Sequence, residues 1–191
     1  MMEMQAVVEG SSKRVAETKA VGQALCACGR TEFAGTGQPL LVIACYCDDC
    51  QAASQQINAR PGGHGGARAD GGTVSTLYRK DRVRALRGAE LLVDLKLRPS
   101  SPTTRVIASC CNSNMLTRFD NWLPFVALRS YSNADAIQPQ LCIHTKFAPD
   151  RGKIAHGVPL HGGIPFGMVM KIMGTAASLR LERFTSSGQM T

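Results

Sequence analysis

The chain has 191 residues, 44% of them apolar, which excludes a disordered polymer and suits one domain with decoration or one and a half domains. The formal net charge is +8, with mild crowding at Arg79, Arg82, Arg84 and Arg87, so nucleic acid, an anionic small molecule and plain solubility all remain open as its meaning. Glycine is abundant, at 19 residues, and aromatics are scarce, at 5% with Trp122 as the single tryptophan, which favours many turns over long helices.

Residues 1–20 read as a flexible N-terminal leader. Glu3, Glu9, Lys13, Arg14, Glu17 and Lys19 interrupt any apolar run, so a secretory signal is not expected there. The eight cysteines are grouped in close sets, as metal sites need, rather than spread as in a disulfide framework. The expectation is a cytoplasmic protein with metal-bound thiolates. No membrane span is expected either: the best stretch, residues 164–179, is interrupted by Lys171 and Gly174 and falls short of the roughly 20 residues a span needs.

Residues 21–36 read as strand, turn at Gly29, strand, and they carry Cys26-Ala27-Cys28-Gly29. Two thiols one residue apart point the same way in extended chain. Gly29 permits a turn that brings backbone amides toward the sulfurs. The apolar run at 40–44 reads as a buried strand that delivers the chain into Cys45-Tyr46-Cys47-Asp48-Asp49-Cys50. C-x-C-x-x-C is too tight for a good disulfide framework but wraps three soft sulfurs around one metal ion. A short helix is expected just after Cys50, where its N-terminus would help hold thiolates. Asp48 and Asp49 read either as a solvated turn or as acceptors beside the ligands.

Residues 58–72 form a Gly-rich loop, read as an inert insertion in preference to a lid. His64, among its glycines, is free to reach a metal, though nothing in the sequence brings it there. Strands are expected at 73–78, 83–86, 91–97 and 105–108, the last running into Cys110-Cys111-Asn112-Ser113. Residues 119–128, with Trp122, read as a lid or cap. Cys142 and His144, and then His156 and His161, are weak ligand candidates whose ordinary explanation is a buried thiol and satisfied imidazoles. Residues 164–184 read as a C-terminal helix or two short elements, followed by a tail.

The order C-x-C-G, C-x-C-x-x-C, β-rich stretch and cysteine pair resembles the glutathione-dependent formaldehyde-activating enzyme and centromere protein V family (GFA-like), across about residues 21–117. The resemblance implies a mainly β fold, a small Mss4-like β-tent zinc domain over 21–117, with 118–191 as a mixed C-terminal extension packed on it. It also implies one or two Zn2+ per chain. Cys45, Cys47 and Cys50 would form an open zinc site, and Cys26 and Cys28 would anchor a structural one together with the late cysteines. The late pair departs from the family's C-x-x-C. If Cys111 is its second cysteine, the first falls on Ala108; if Cys110 is its first, the second falls on Ser113. That leaves three ligands or a strained adjacent pair. Tyr46 stands where many relatives carry histidine.

The function this implies is a carbon–sulfur lyase acting on a glutathione-type thiol adduct of a small aldehyde, with glutathione or another small thiol as partner and Arg79, Arg82, Arg84 and Arg87 as available anion contacts. The alternative is a non-catalytic zinc module that contacts a partner, nucleic acid among them, through its basic surface.

Overall fold

The computed structural model describes residues 20–120, 122–129, 137–154 and 157–187. The expected leader, apart from residue 20, lies outside these residues, as do His156 and residues 188–191 of the tail.

Among the described residues, ten strands and two α-helices make a mainly β fold. A three-stranded sheet has the order β1 (Ala20–Leu25), β2 (Glu32–Thr36), β5 (Val83–Arg87). A seven-stranded sheet has the order β10-β3-β4-β9-β8-β7-β6. Its members are β3 (Leu41–Cys45), β4 (Thr73–Arg79), β6 (Leu92–Leu95), β7 (Thr103–Ala108), β8 (Ser113–Phe119), β9 (Phe125–Leu128) and β10 (Leu141–Ile143). All neighbours in it are antiparallel except β10 and β3, which run parallel. The boundary anticipated at 117 therefore falls inside β8, and the segment beyond it supplies the centre and one edge of the same sheet.

Strand alternation assigns the two faces of the large sheet different jobs. Tyr78, Val106, Leu116, Val126 and Leu128 point toward the small sheet and pack with Ala24 and Phe33. The opposite parity, Ile43, Leu77, Phe125 and Ala127, packs under α2 (Phe166–Ser187) through Met168 and Ile172. Residues 164–184 thus hold one long helix, whose buried positions 168, 172, 175 and 179 recur at helical spacing. A third cluster joins Ala44, Tyr46, Cys142 and Ile154 beside β10.

Helix α1 (Asp48–Asn58) begins earlier than the sequence suggests, with Cys47 as its N-cap residue. Asp48 and Asp49 are therefore first-turn residues rather than a solvated turn. Negative charge there suits the helix dipole, which is why two carboxylates beside thiols start a helix instead of preventing one.

The Gly-rich loop is stitched down. His64 N–H donates to Asn112 O, and Asn114 N–H donates to His64 O, both at 3.0 Å. Gly65 N–H donates to Asn58 Oδ1 and Ala67 N–H to Ser54 Oγ. A Cβ on Gly65 would lie 2.3 Å from Ser54 O, so only glycine permits this approach. The loop is neither a loose insertion nor a free lid: it ties α1 to the turn that carries Cys110 and Cys111.

Candidate metal centres and a thiol-lined cavity

The first cluster joins three distant pieces of sequence. Cys26 directly follows β1, Cys28 lies in the turn after it, and Cys110 and Cys111 occupy the β7–β8 turn. Sulfur separations are 3.6 Å for Cys26–Cys28, 3.4 Å for Cys28–Cys110, 3.9 Å for Cys26–Cys110 and 3.9 Å for Cys110–Cys111. Four sulfurs about 2.3 Å from one tetrahedral ion are spaced about 3.8 Å apart. The thiols present fit a metal, and both adjacent cysteines belong to the group.

The strain expected of that pair is relieved in the turn itself. Asn112 adopts a left-handed φ of 50°, a conformation asparagine tolerates better than most residues. Its side chain donates to Pro61 O. Ser113 Oγ lies 3.1 Å from Cys111 Sγ and accepts from Ala27 N–H. On the other side, Gly29 has φ of 74° and an open Cβ direction, so its role is the backbone turn. That turn lets Thr31 N–H donate to Cys26 Sγ at 3.2 Å. The backbone amide and guanidinium of Arg30 lower the Cys28 thiol to about 6, while burial and the Cys28 contact push Cys110 up to about 12. One anionic sulfur is thus favoured before any metal arrives.

The second cluster is Cys45, Cys47 and Cys50, with sulfurs mutually within 4.8 Å. Cys45 closes β3, and Cys47 and Cys50 lie at and just inside the N-terminus of α1. Cys50 is held well below the usual thiol range, first by its hydrogen bonds with Cys45 and Cys47 and then by the charges of Arg129 and Arg105. Those hydrogen bonds with Cys47 and Cys50 push Cys45 upward. No histidine belongs to either cluster among the described residues. His64, His144 and His161 are therefore placed outside both, and Cys142 is buried beside Tyr46.

The two clusters differ in what surrounds them. The three-thiol cluster opens onto a cavity of about 380 Å3 between the large sheet and α2. Sheet register explains its lining. Leu41 pairs with Leu77, Leu77 with Ala127, Ala127 with Thr117, and Thr117 with Arg105. That row crosses the sheet on the α2 side. By the same parity Cys45, Ser75 and Arg129 face the cavity. Trp122, Leu123, Ile164, Met168 and Met173 also line it. A second cavity of about 320 Å3, lined by residues 63–68 of the Gly-rich loop, shares Ser75 and Arg129 with the first.

Sequence reading missed Arg105 and Arg129, the two cations of the cavity. They are 2% and 7% exposed. Arg105 donates to Asp49 O at 3.0 Å and Thr103 Oγ1 at 2.7 Å. Arg129 donates to Asn114 Oδ1 at 3.3 Å and Thr117 Oγ1 at 2.9 Å. The Nε atoms of both lack a partner. A signal existed: each is a lone charge adjoining an apolar run, Arg105 before residues 106–108 and Arg129 after residues 125–128. The arginines that sequence reading singled out lie elsewhere: Arg79 pairs with Asp81 at 2.7 Å and Arg87 with Glu32 at 3.2 Å, and none of the four lines the cavity. Tyr46 is buried, its hydroxyl donating to Asp70 Oδ2 at 2.9 Å, so it serves as a strut beneath the thiols rather than as a ligand.

No helix among the described residues is long and apolar enough to cross a membrane. A crystal structure of a Rhodobacter sphaeroides protein aligns with 73% of this chain and 99% of its own, at 16% identity and a TM-score of 0.42. No curated protein matches the chain. Residues 21–61, which hold both upstream cysteine motifs, match the family model described as glutathione-dependent formaldehyde-activating enzyme (GFA). Over those residues, and there alone, the chain is similar to the GFA family.

Proposed function

We propose that the protein is a zinc enzyme of carbon–sulfur chemistry, a lyase or synthase for the thiol adduct of a small aldehyde. Glutathione is the first thiol to test, because the family's name points to it. The observation that carries the reading is the contrast between the clusters: four thiols complete one site, while three thiols border a cavity. Four protein ligands suit a structural ion, and three leave a position for exchange. Cys26, Cys28, Cys110 and Cys111 would hold the first zinc, and Cys45, Cys47 and Cys50 the second. Bound there, zinc would acidify a thiol or polarise a carbonyl oxygen.

The chain's own residues supply the rest. The N-terminus of α1 and the guanidinium groups of Arg105 and Arg129 favour negative charge at the cysteines and on a ligand beside them. The apolar wall from Leu77 to Ile172 offers competing water few partners. Trp122 and α2 cover the cavity on its outer side.

The non-catalytic module is the weaker reading. Its basic edge is half neutralised by the Arg79–Asp81 and Arg87–Glu32 pairs, and a purely structural site has no use for a cavity at its thiols. The test is zinc content of the wild type and of Cys47→Ser, with turnover of the formaldehyde–glutathione adduct. Two zinc ions per chain falling to one, with the fold intact and turnover lost, supports the enzyme. A single ion released only on unfolding, with no turnover of any thiol adduct, refutes it.

A further inference from the structure

The cavity has a chemical character of its own that narrows the ligand. Ile43, Leu77, Phe119, Leu123, Met168 and Ile172 are among the apolar side chains of its wall. At about 30 Å3 per water, 380 Å3 is room for about a dozen waters, which suits a small molecule. Its hydroxyls are few: Ser75, Thr103 and Thr117, the last two already accepting from Arg129 or Arg105.

Charge is concentrated at one end. Three thiolates around a divalent ion leave one negative charge. Arg105 and Arg129 add two positive charges, and both are more than nine-tenths buried with an Nε that lacks a partner. Asp49, the acidic residue on the wall, is paired with Arg98 at 3.2 Å. The site therefore carries a surplus of one buried positive charge, which one anionic group on the ligand would balance. A buried cation without an anion is costly, so this surplus selects for a ligand carrying a single carboxylate.

We propose that the cavity binds a small monocarboxylate with an apolar body, such as a thiol acid of the mercaptoalkanoate type, in preference to glutathione. Glutathione brings two carboxylates, an ammonium and two amides. Most of these would meet alkyl and aromatic walls with no partner. The inference rests on the reading of this cavity as the ligand site of the proposed enzyme.

Trp122, the single tryptophan, lines the cavity and reports its occupancy. The full-length zinc-loaded protein is titrated with 6-mercaptohexanoate, 6-mercaptohexanol and glutathione, following Trp122 fluorescence, with calorimetry as a second readout. The expected result is a Kd for mercaptohexanoate at least tenfold below both others. Arg129→Gln should raise the mercaptohexanoate Kd at least tenfold, and by more than it raises that of mercaptohexanol. Should that variant fail to fold by circular dichroism, hexanoate against hexylamine on the wild type asks the same question, and only hexanoate should bind. Glutathione binding as tightly as mercaptohexanoate, or the neutral thiol matching the acid, overturns the proposal. Hexanoate has no thiol, so its binding persists in zinc-free protein if the proposal holds. Hexanoate binding without any carbon–sulfur turnover would sink the enzyme reading alone. Glutathione-adduct turnover without preference for the acid would sink this inference alone.

Discussion

Replacing Cys111 by serine tests whether adjacent cysteines share one metal ion. In the structure Cys111 Sγ lies 3.9 Å from Cys110 Sγ, the spacing of two ligands on one tetrahedral zinc. Apparent binding energies for structural zinc run to about 10–16 kcal/mol, so an equal share per thiolate is about 2.5–4 kcal/mol. At about 1.4 kcal/mol per tenfold, losing one thiolate costs about two to three powers of ten in affinity, less whatever a hydroxyl or water restores. Chelator competition at pH 7 on the wild type, Cys111→Ser and Cys110→Ser measures this. Both variants should weaken zinc binding at the four-thiol cluster to a similar degree. Cys111→Ser with wild-type affinity beside a crippled Cys110→Ser would show that only three thiols bind and would refute the geometry.

Within the four-thiol cluster, metal-free protein should alkylate first at Cys28. With its thiol lowered to about 6, labelling should rise through pH 6, stay low below it where the sulfur is protonated, and precede that of Cys110, which is pushed up to about 12. A labelling midpoint near 9 at Cys28, by mass spectrometry, would contradict the Arg30 contact. Leu77→Ala empties the contact between the large sheet and α2, where Leu77 is 1% exposed, and should cost about 2–5 kcal/mol in denaturant unfolding. Two glycines should behave oppositely: Gly65→Ala must displace Ser54 O and destabilise the fold, whereas Gly174→Ala meets nothing within 4 Å and should stabilise α2 by about 0.5–1 kcal/mol.

The chemistry was legible in the sequence because it is local. Thiols at C-x-C and C-x-x-C spacing face one point from a turn or a helix start, whatever the rest of the chain does. The strands around them were legible for the same reason: alternation and β-branched content in runs such as 73–78 and 105–108 are local properties. The Cys26–Cys28 and Cys45–Cys47–Cys50 groups are therefore readable as sets in the sequence, and the fold brings the sulfurs of each set together. The β9 run from Phe125 to Leu128 did not read as a strand, because it is buried on both faces and its uniform apolarity lacks a period.

What tertiary structure alone decided is everything that depends on register and on long-range closure. Whether Cys110 and Cys111 both join Cys26 turns on the left-handed Asn112 and on the loop pinned by His64, some fifty residues away in the chain. Arg105 and Arg129 face the three thiols only because β7, β8, β9, β4 and β3 pair in one register, and a slip of one residue would send both arginines to the other face. The cavity exists because α2 lays Met168 and Ile172 across that face. Sequence named the thiols; the pairing of distant strands determined what chemistry surrounds them.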